Sequence, residues 1–313
     1  MIRRLIVMGK NNIAVECLTY LLTRHDTEIV LVISHPDDSG EDGWQRSLTK
    51  AAKDSRLPLY QPTKVNSAES ITYIKSFQPE FIFSFQYAQI IKREFIDIPT
   101  RGCVNLHFGP LPRYRGVSTI AWAMINCEKE TGVTLHYMDP GIDTGDIITQ
   151  RIFPIDDKDN ARDIYERCVE QGAALFKDSL DSIYAGKNKR IPQNNAHAIY
   201  YPKNSIDFSQ RDIIWNNSTR QLFNWIRAMI FPPFQYPRCK VRDKQFEVTK
   251  ISCDYRKNNF EKPGTIVSME PSVYVATNDS FLILDEIMID GKHLAPPDFV
   301  PQLGLRVGDV IGT

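Results

Sequence analysis

Residues 1–34 read MIRRLIVMGK NNIAVECLTY LLTRHDTEIV LVIS, and their periodicity decides the fold. Leu5–Met8 and Ile29–Ile33 are short apolar runs, and between them Val15, Leu18 and Leu22 recur at helical spacing. This is strand, helix, strand. The pattern repeats downstream. Trp44–Ser55 fits a helix that closes before Leu57-Pro58. Ile71, Ile74 and Phe77 mark another that stops before Pro79. Phe81–Phe85, Cys103–Leu106 and Val133–Tyr137 fit strands. Strands and helices alternating at these lengths predict an α/β protein with a doubly wound, mostly parallel sheet covered on both faces. Ligands of such sheets sit beyond the C-terminal strand ends, near a switch in strand order.

The character changes past the middle of the chain. A long helix fits Asn160–Tyr184, with Val169, Ala173, Phe176, Leu180 and Ile183 at steps of three and four and Gly186 as its stop. Lys187–Asn195 is polar and basic and reads as a linker. One more helix is expected around Ser218–Ile230, with Ser218 as N-cap. Short strands follow at Phe246/Val248, Gly264–Val267, Ser272–Ala276, Phe281–Leu284 and Val307–Ile311, the pattern of a small β-barrel. The expected organisation is a domain over 1–188, a linker over 189–205, and a second domain over 206–313.

Composition narrows the function classes. Of 313 residues 42% are hydrophobic and 24% charged, which argues against disorder. Lys+Arg and Asp+Glu both number 38, so the net charge is zero and nucleic acid or an acidic membrane is not the expected partner. No apolar run approaches the ~18 residues of a membrane span. The four-residue apolar stretch after Arg3-Arg4 is shorter than the core of a signal peptide, so a cytoplasmic location is expected. The six cysteines form no C-x-x-C pair and read as buried thiols.

The chemistry is concentrated in Asn105-Leu106-His107-Phe108-Gly109-Pro110-Leu111-Pro112-Arg113-Tyr114-Arg115-Gly116. Strand alternation places Asn105 and His107 on one side, at the strand's exit. A second polar group, Met138-Asp139-Pro140-Gly141-Ile142-Asp143-Thr144-Gly145-Asp146, follows another strand. Histidine moves protons near neutral pH, an Asn amide can donate to a developing oxyanion, and a carboxylate can orient and charge-stabilise an imidazole. No Ser or Cys stands beside His107, so direct acyl transfer to an incoming amine fits better than an acyl-enzyme. A strand-end histidine satisfied structurally and an Asx turn over 143–146 are the alternatives from the residues alone. His107, His136, Asp139 and Asp143 lack diagnostic ligand spacing, so no metal is expected.

Asn105-Leu106-His107, Leu111–Gly116, Thr131-Gly132-Val133-Thr134 and Asp143-Thr144-Gly145-Asp146 together resemble the N10-formyltetrahydrofolate-dependent formyltransferases. The resemblance covers nearly the whole chain. It implies a Rossmann-like catalytic domain, an oligonucleotide-binding-type (OB-like) C-terminal barrel, and N10-formyltetrahydrofolate as co-substrate. It makes Asn105, His107 and Asp143 the catalytic trio. One position departs: many members carry serine where this chain has Gly109.

The acceptor is the open choice within that family. Ser34–Gly43 carries four carboxylates and no Lys or Arg, which would repel a polyphosphate chain. The stretch resembles members acting on nucleotide-linked amino sugars, as do Ile82–Tyr87, Tyr201-Pro202-Lys203, Ile226-Arg227-Ala228 and Pro301–Leu305. The expectation is therefore an N-formyltransferase of a dTDP-linked amino-deoxy sugar (dTDP-4-amino-4,6-dideoxyglucose as best guess) feeding surface polysaccharide or O-antigen, with no nucleic-acid partner, acting as a homodimer. By the resemblance the folate lies against Gln86, Tyr87, Ala88 and Ile90, with Asp139 and Asp146 nearby. Lys10 and Asn11, in the turn before the first helix, are candidates for the nucleotide's phosphates. Arg115, Tyr201 and Lys203 complete the substrate-binding candidates. Methionyl-tRNA formylation and a non-catalytic folate- or nucleotide-sugar-binding protein are the alternatives.

Overall fold

Leu5, Ile6, Val7 and Met8 are completely buried, and that unbroken apolar run is what a strand covered on both faces requires. The computed structural model describes residues 2–258 and 261–312. Its elements begin β1 (Arg3–Gly9), α1 (Asn11–Leu22), β2 (Thr27–Ser34), α2 (Leu48–Asp54), β3 (Leu59–Tyr60), α3 (Ala68–Ser76), β4 (Phe81–Phe85), α4 (Arg93–Ile96) and β5 (Gly102–His107). They continue with β6 (Arg115–Gly116), α5 (Thr119–Ile125), β7 (Glu130–Tyr137), β8 (Ile147–Pro154), α6 (Ala161–Ala185) and β9 (Tyr200–Tyr201). Helix starts follow capping chemistry. The Ser47 hydroxyl accepts the Lys50 N–H at 2.9 Å, so α2 begins at Leu48 rather than at Trp44.

Chain contacts form two units. The first comprises Met1–Thr119, Thr131–Phe153 and Glu166–Lys203; the second comprises Ile120–Glu130, Pro154–Tyr165 and Asn204–Thr313. Two segments of the N-terminal half thus group with the C-terminal residues. The stretch read as a linker is tied into the first unit: Ile191 bridges Ile147, and Gln193 and Asn195 accept hydrogen bonds from Arg115. Its polar side chains are partners of the fold, not the mark of a solvated tether.

The first unit is built on a seven-stranded sheet in the order β3-β2-β1-β4-β5-β7-β8. The pairs from β3 to β5 are parallel; β7 runs antiparallel to β5, with Asn105 opposite His136 and His107 opposite Thr134. Strand order reverses between β1 and β4, so the crevice of a doubly wound sheet is expected where Gly9-Lys10 and Phe85-Gln86 leave their strands. On one face, Phe176 of α6 meets Phe83 and Phe85 edge-on at centroid distances of 5.0 and 5.1 Å.

The second unit contains α7 (Thr219–Met229), β10 (Arg238–Val241), β11 (Lys244–Asp254), β12 (Ile266–Ser268), β13 (Val273–Ala276), β14 (Phe281–Ile289), β15 (Lys292–Leu294) and α8 (Pro296–Leu303). Its strands form an antiparallel half-barrel in the order β10-β11-β14-β13-β12, with β15 on β14. Val273, Val275, Leu282 and Leu284 are fully buried in its core beside Phe299 of α8. The strand expected at Val307–Ile311 is instead a turn with one bridge, Val310 to Thr265, because Gly308 takes a positive φ of 92°. Among the described residues no helix is long and apolar enough to cross a membrane.

Phe176 makes its three aromatic contacts, to Tyr20, Phe83 and Phe85, while fully buried. Phe176→Ala is expected to destabilise the chain by about 3–5 kcal/mol, read from the denaturant midpoint at unchanged slope.

Candidate active site

β5 ends at His107 because Gly109-Pro110 cannot continue the ladder, and this leaves Asn105 and His107 at the C-terminal edge of the sheet. The chain then turns back. The Thr134 hydroxyl of β7 donates to the Gly109 carbonyl at 2.6 Å, and Gln150 Nε2 donates to the Leu111 carbonyl at 2.7 Å. The turn brings the Tyr114 carbonyl to 2.7 Å from His107 Nε2. A carbonyl only accepts, so Nε2 carries the proton and the lone pair of the neutral ring is on Nδ1. The ring is 8% exposed.

Asp143 closes the cluster from the loop between β7 and β8. One carboxylate oxygen lies 3.6 Å from His107 Nδ1 and accepts the Gly116 N–H at 2.9 Å; the other lies 3.5 Å from His136 Nε2. The side chain is only 13% exposed. Burial alone would raise its pKa. The facing rings of His107 and His136 and the Gly116 N–H outweigh burial and hold the carboxyl well below the usual carboxylate range. Asp143 sits at φ 54°, an uncommon backbone state for a non-glycine residue. The loop is braced from outside: Gln193 Nε2 donates to the carbonyls of Asp143 and Gly145 at 2.9 and 2.7 Å, and Arg115 donates to Gln193 Oε1.

His136, weighed in the sequence only as a metal ligand, is a further member of the cluster. Its Nδ1 donates to the Tyr137 carbonyl at 2.8 Å, and its Nε2 accepts from Asn105 Nδ2 at 3.1 Å. One of the two amide hydrogens of Asn105 is thereby committed and the second is left over. Period-two alternation places His136 in line with Thr134, but only the antiparallel register sets it opposite Asn105. Among the described residues no group of three or more His, Cys, Asp or Glu is arranged to hold a metal ion.

The structure thus brings Asn105, His107 and Asp143 together and adds His136. The remaining candidates divide. Lys10, whose N–H donates to the Phe85 carbonyl at 3.1 Å, and Asn11 flank the crevice from β1. Gln86, Tyr87, Ala88 and Ile90 flank it from β4. Phe85 is core, whereas Ile90 is 68% exposed. The carboxylate of Asp139 is taken up by the Gly141 N–H and the Thr144 hydroxyl, so it shapes the loop. Asp146 is half-buried, and its carbonyl accepts the Tyr137 N–H at 2.9 Å. Arg115 departs from expectation: it is buried, and its guanidinium is spent on Gln193 and Asn195, so it braces the Asp143 loop. Tyr201 stacks on buried Tyr114 at 5.5 Å, supporting the turn that presents the Tyr114 carbonyl, and Lys203 lies exposed beyond it.

The formyl transferase family model matches residues 3–180, and the model of the formyl transferase C-terminal domain matches residues 205–302. The methionyl-tRNA formyltransferase of Thermodesulfovibrio yellowstonii is 34% identical over 93% of this chain and 92% of its own length. That of Clostridioides difficile is 31% identical over 99% of this chain and all of its own. Among solved structures, an N-formyltransferase from Helicobacter canadensis in complex with folinic acid and dTDP-3-aminofucose superposes with a TM-score of 0.75 at 30% identity, covering 91% of this chain and 99% of that one.

The whole-length methionyl-tRNA relatives overturn the expected amino-sugar acceptor and, with it, the argument from the acidic loop. Three of that loop's four carboxylates fold it. Asp38 accepts from the hydroxyls of Ser34 and Ser47 at 2.6 and 2.5 Å and from the N–H groups of Gly40 and Thr49. Asp42 accepts the Ser47 N–H at 2.9 Å, and Asp37 faces His35 Nδ1 at 2.5 Å. Their number reports loop construction and not the charge of a partner.

A carboxyl whose pKa is depressed on folding contributes stability that is complete above the unfolded value of ~3.9 and is lost as pH falls towards the folded one. Asp143→Asn is therefore expected to flatten the acid limb of the stability profile, measured as denaturant midpoints from neutral pH down through the carboxylate range; identical limbs would refute the charge pairing. A carboxylate clasped between two imidazoles at the strand exits, with matches to both domain models and relatives along the whole length, leads to one conclusion: the chain belongs to the formyl transferase family and is a formyl-transferring enzyme.

Proposed function

We propose that this enzyme moves the formyl group of N10-formyltetrahydrofolate onto the amino group of methionyl-tRNA. The observation that carries the acceptor is the similarity to methionyl-tRNA formyltransferases over essentially the whole chain. The donor is supported by the folinic acid in the Helicobacter canadensis complex and by the strand-exit segment Gln86–Ile90, in which Ala88 and Ile90 are exposed and Ile90 offers apolar surface to a flat heterocycle.

The reaction is a direct acyl transfer. The neutral amine attacks the formyl carbon, a C–N bond forms to the acceptor, the bond to N10 breaks, and a proton passes from the amine to N10. His107 Nδ1, the ring nitrogen with a lone pair, accepts the amine proton. Asp143, 3.6 Å away and ionised, stabilises the imidazolium that results. Asn105 gives one amide hydrogen to His136 and has the other for the oxygen that becomes negative. His136, itself fixed by the Tyr137 carbonyl, keeps that amide from rotating. A role for Lys10 in meeting phosphate is supported by its position in the turn between β1 and the N-terminus of α1.

Incubation with N10-formyltetrahydrofolate and methionyl-tRNA is expected to yield formyl-methionyl-tRNA, with tRNA binding that weakens steeply as salt rises. Silence on methionyl-tRNA, with turnover of an amino-sugar nucleotide by the same preparation, would overturn the acceptor. Asn105→Ala is expected to keep folate binding and lose ~10²–10³ in turnover, the usual effect of one oxyanion donor; near-normal turnover would remove Asn105 from the chemistry.

A further inference from the structure

A cavity of about 750 Å³ opens in the second unit, and all of its walls come from that unit. Its size falls in the range of small-molecule sites. Gln221 and Trp225 line it from α7, where a spacing of four residues puts them on one face. Ile214 lines it from the run before the helix; its neighbours Ile213 and Trp215 belong to the core, whereas Ile214 is 66% exposed. The half-buried Trp225 packs against that same core, so its ring is a fixed wall. The polar lining has capacity to spare. Asn217 gives one amide hydrogen to the Ile214 carbonyl at 3.2 Å, which leaves its Oδ1 as an open acceptor. Gln221 Oε1 accepts the Ser218 hydroxyl at 2.8 Å, which leaves its Nε2 as an open donor. Asp212 is the one charged residue among the described lining, and Arg238 Nε lies 3.1 Å from its carboxylate.

This lining selects a chemical class. With no Lys or Arg among the described wall residues, an anionic group is not what the cavity grips. With its carboxylate already paired, it holds no charge for a cation. A purely apolar guest would leave Asn217 Oδ1 and Gln221 Nε2 without water or partner, which is costly. A flat heterocycle with a donor beside an acceptor on its edge meets every wall: it lies against the indole and Ile214 and pairs with both amides. Each nucleobase has such an edge, and bases stack on aromatic side chains. We infer that this cavity takes a nucleobase, with Trp225 as its stacking platform and Asn217 and Gln221 reading its edge. The base comes either from an unpaired nucleotide of an RNA or from a free nucleoside. The RNA source rests on the methionyl-tRNA reading above; the base pocket itself does not.

The test uses the full chain with ¹⁵N-labelled tryptophan. The sequence has four tryptophans, and the Trp225 indole signal is assigned by its loss in Trp225→Phe. Adenosine, cytidine, guanosine and uridine are each titrated, and at least one is expected to shift that signal. Ribose 5-phosphate, an anion without a base, is expected to leave it in place. Affinity is read by calorimetry. Trp225→Leu is expected to weaken nucleoside binding about tenfold or more, the scale of one base–aromatic stack. Gln221→Ala alters an exposed side chain and keeps the core, so it serves if Trp225→Leu does not fold; it is expected to weaken binding about two- to tenfold, the scale of one hydrogen bond. No response to any nucleoside up to its solubility would overturn the inference. So would an equal response to ribose 5-phosphate, and so would nucleoside binding that Gln221→Ala leaves unchanged. Methionyl-tRNA binding that falls in the same variants makes an RNA the source of the base, and tRNA binding that does not change makes it a free nucleoside. A nucleoside response in a protein that leaves methionyl-tRNA unformylated would keep this inference and remove the proposed acceptor.

Discussion

A carboxylate withdrawn from water has to be compensated, and the Asp143 loop shows how much of a fold one such group can recruit. Two imidazoles face its two oxygens at 3.6 and 3.5 Å, and a backbone N–H from β6 takes a third direction. The backbone beneath it sits at φ 54°, a state that persists only where surroundings over-determine it. Those surroundings are Gln193, which ties down two carbonyls of the loop, and Arg115, which holds Gln193. The segment after α6 is therefore part of the site's frame. The low pKa of Asp143 is the electrostatic signature of that arrangement.

Much of this was legible in the sequence, and the reasons are local. Leu5–Met8 and Phe81–Phe85 are apolar without interruption, which only strands covered on both faces can be. Ser218 caps α7 as a short hydroxyl before an amphipathic run should, its side chain accepting the Gln221 N–H. Asn105 and His107 share a face because strand alternation leaves no choice. His136 was hidden for the complementary reason: its neighbour depends on the direction and register of a strand pair, and no residue near it encodes either. Gln193 and Asn195 were hidden by their polarity. A run of Lys, Asn and Gln has the composition of a tether, and only the buried guanidinium across from it shows that its amides are acceptors in use. α8 begins on two prolines and contains a third, a pattern that reads as loop, yet proline is at home in a helix's first turn.

The acidic loop shows where counting charges fails. A formal charge enters a long-range argument only as far as the group is exposed and not already bound by its own loop. Asp38 is a hub with four donors around it, and removing it would undo the loop before altering any field. Net charge misleads in the same way. Thirty-eight positive against thirty-eight negative side chains is a sum over the whole chain, whereas binding a polyanion needs only a patch where cations outnumber anions within roughly a Debye length of ~8–10 Å.

The cluster itself carries no memory of what bears the amine. In the reaction we propose, His107, Asn105 and Asp143 act on a carbonyl carbon, its oxygen and a proton, and these are the same whether the acceptor is a sugar or an aminoacyl ester. Motifs that encode the cluster therefore identify the reaction and stay silent on the acceptor, which must be selected by surface outside it. That separation explains why one chain stands at 30% identity to a structure holding an amino-sugar nucleotide and at 31–34% to enzymes of methionyl-tRNA. What the two groups share is the geometry needed to pass a formyl group between nitrogens, and selection on that geometry is enough to hold the fold constant while the binding surface changes.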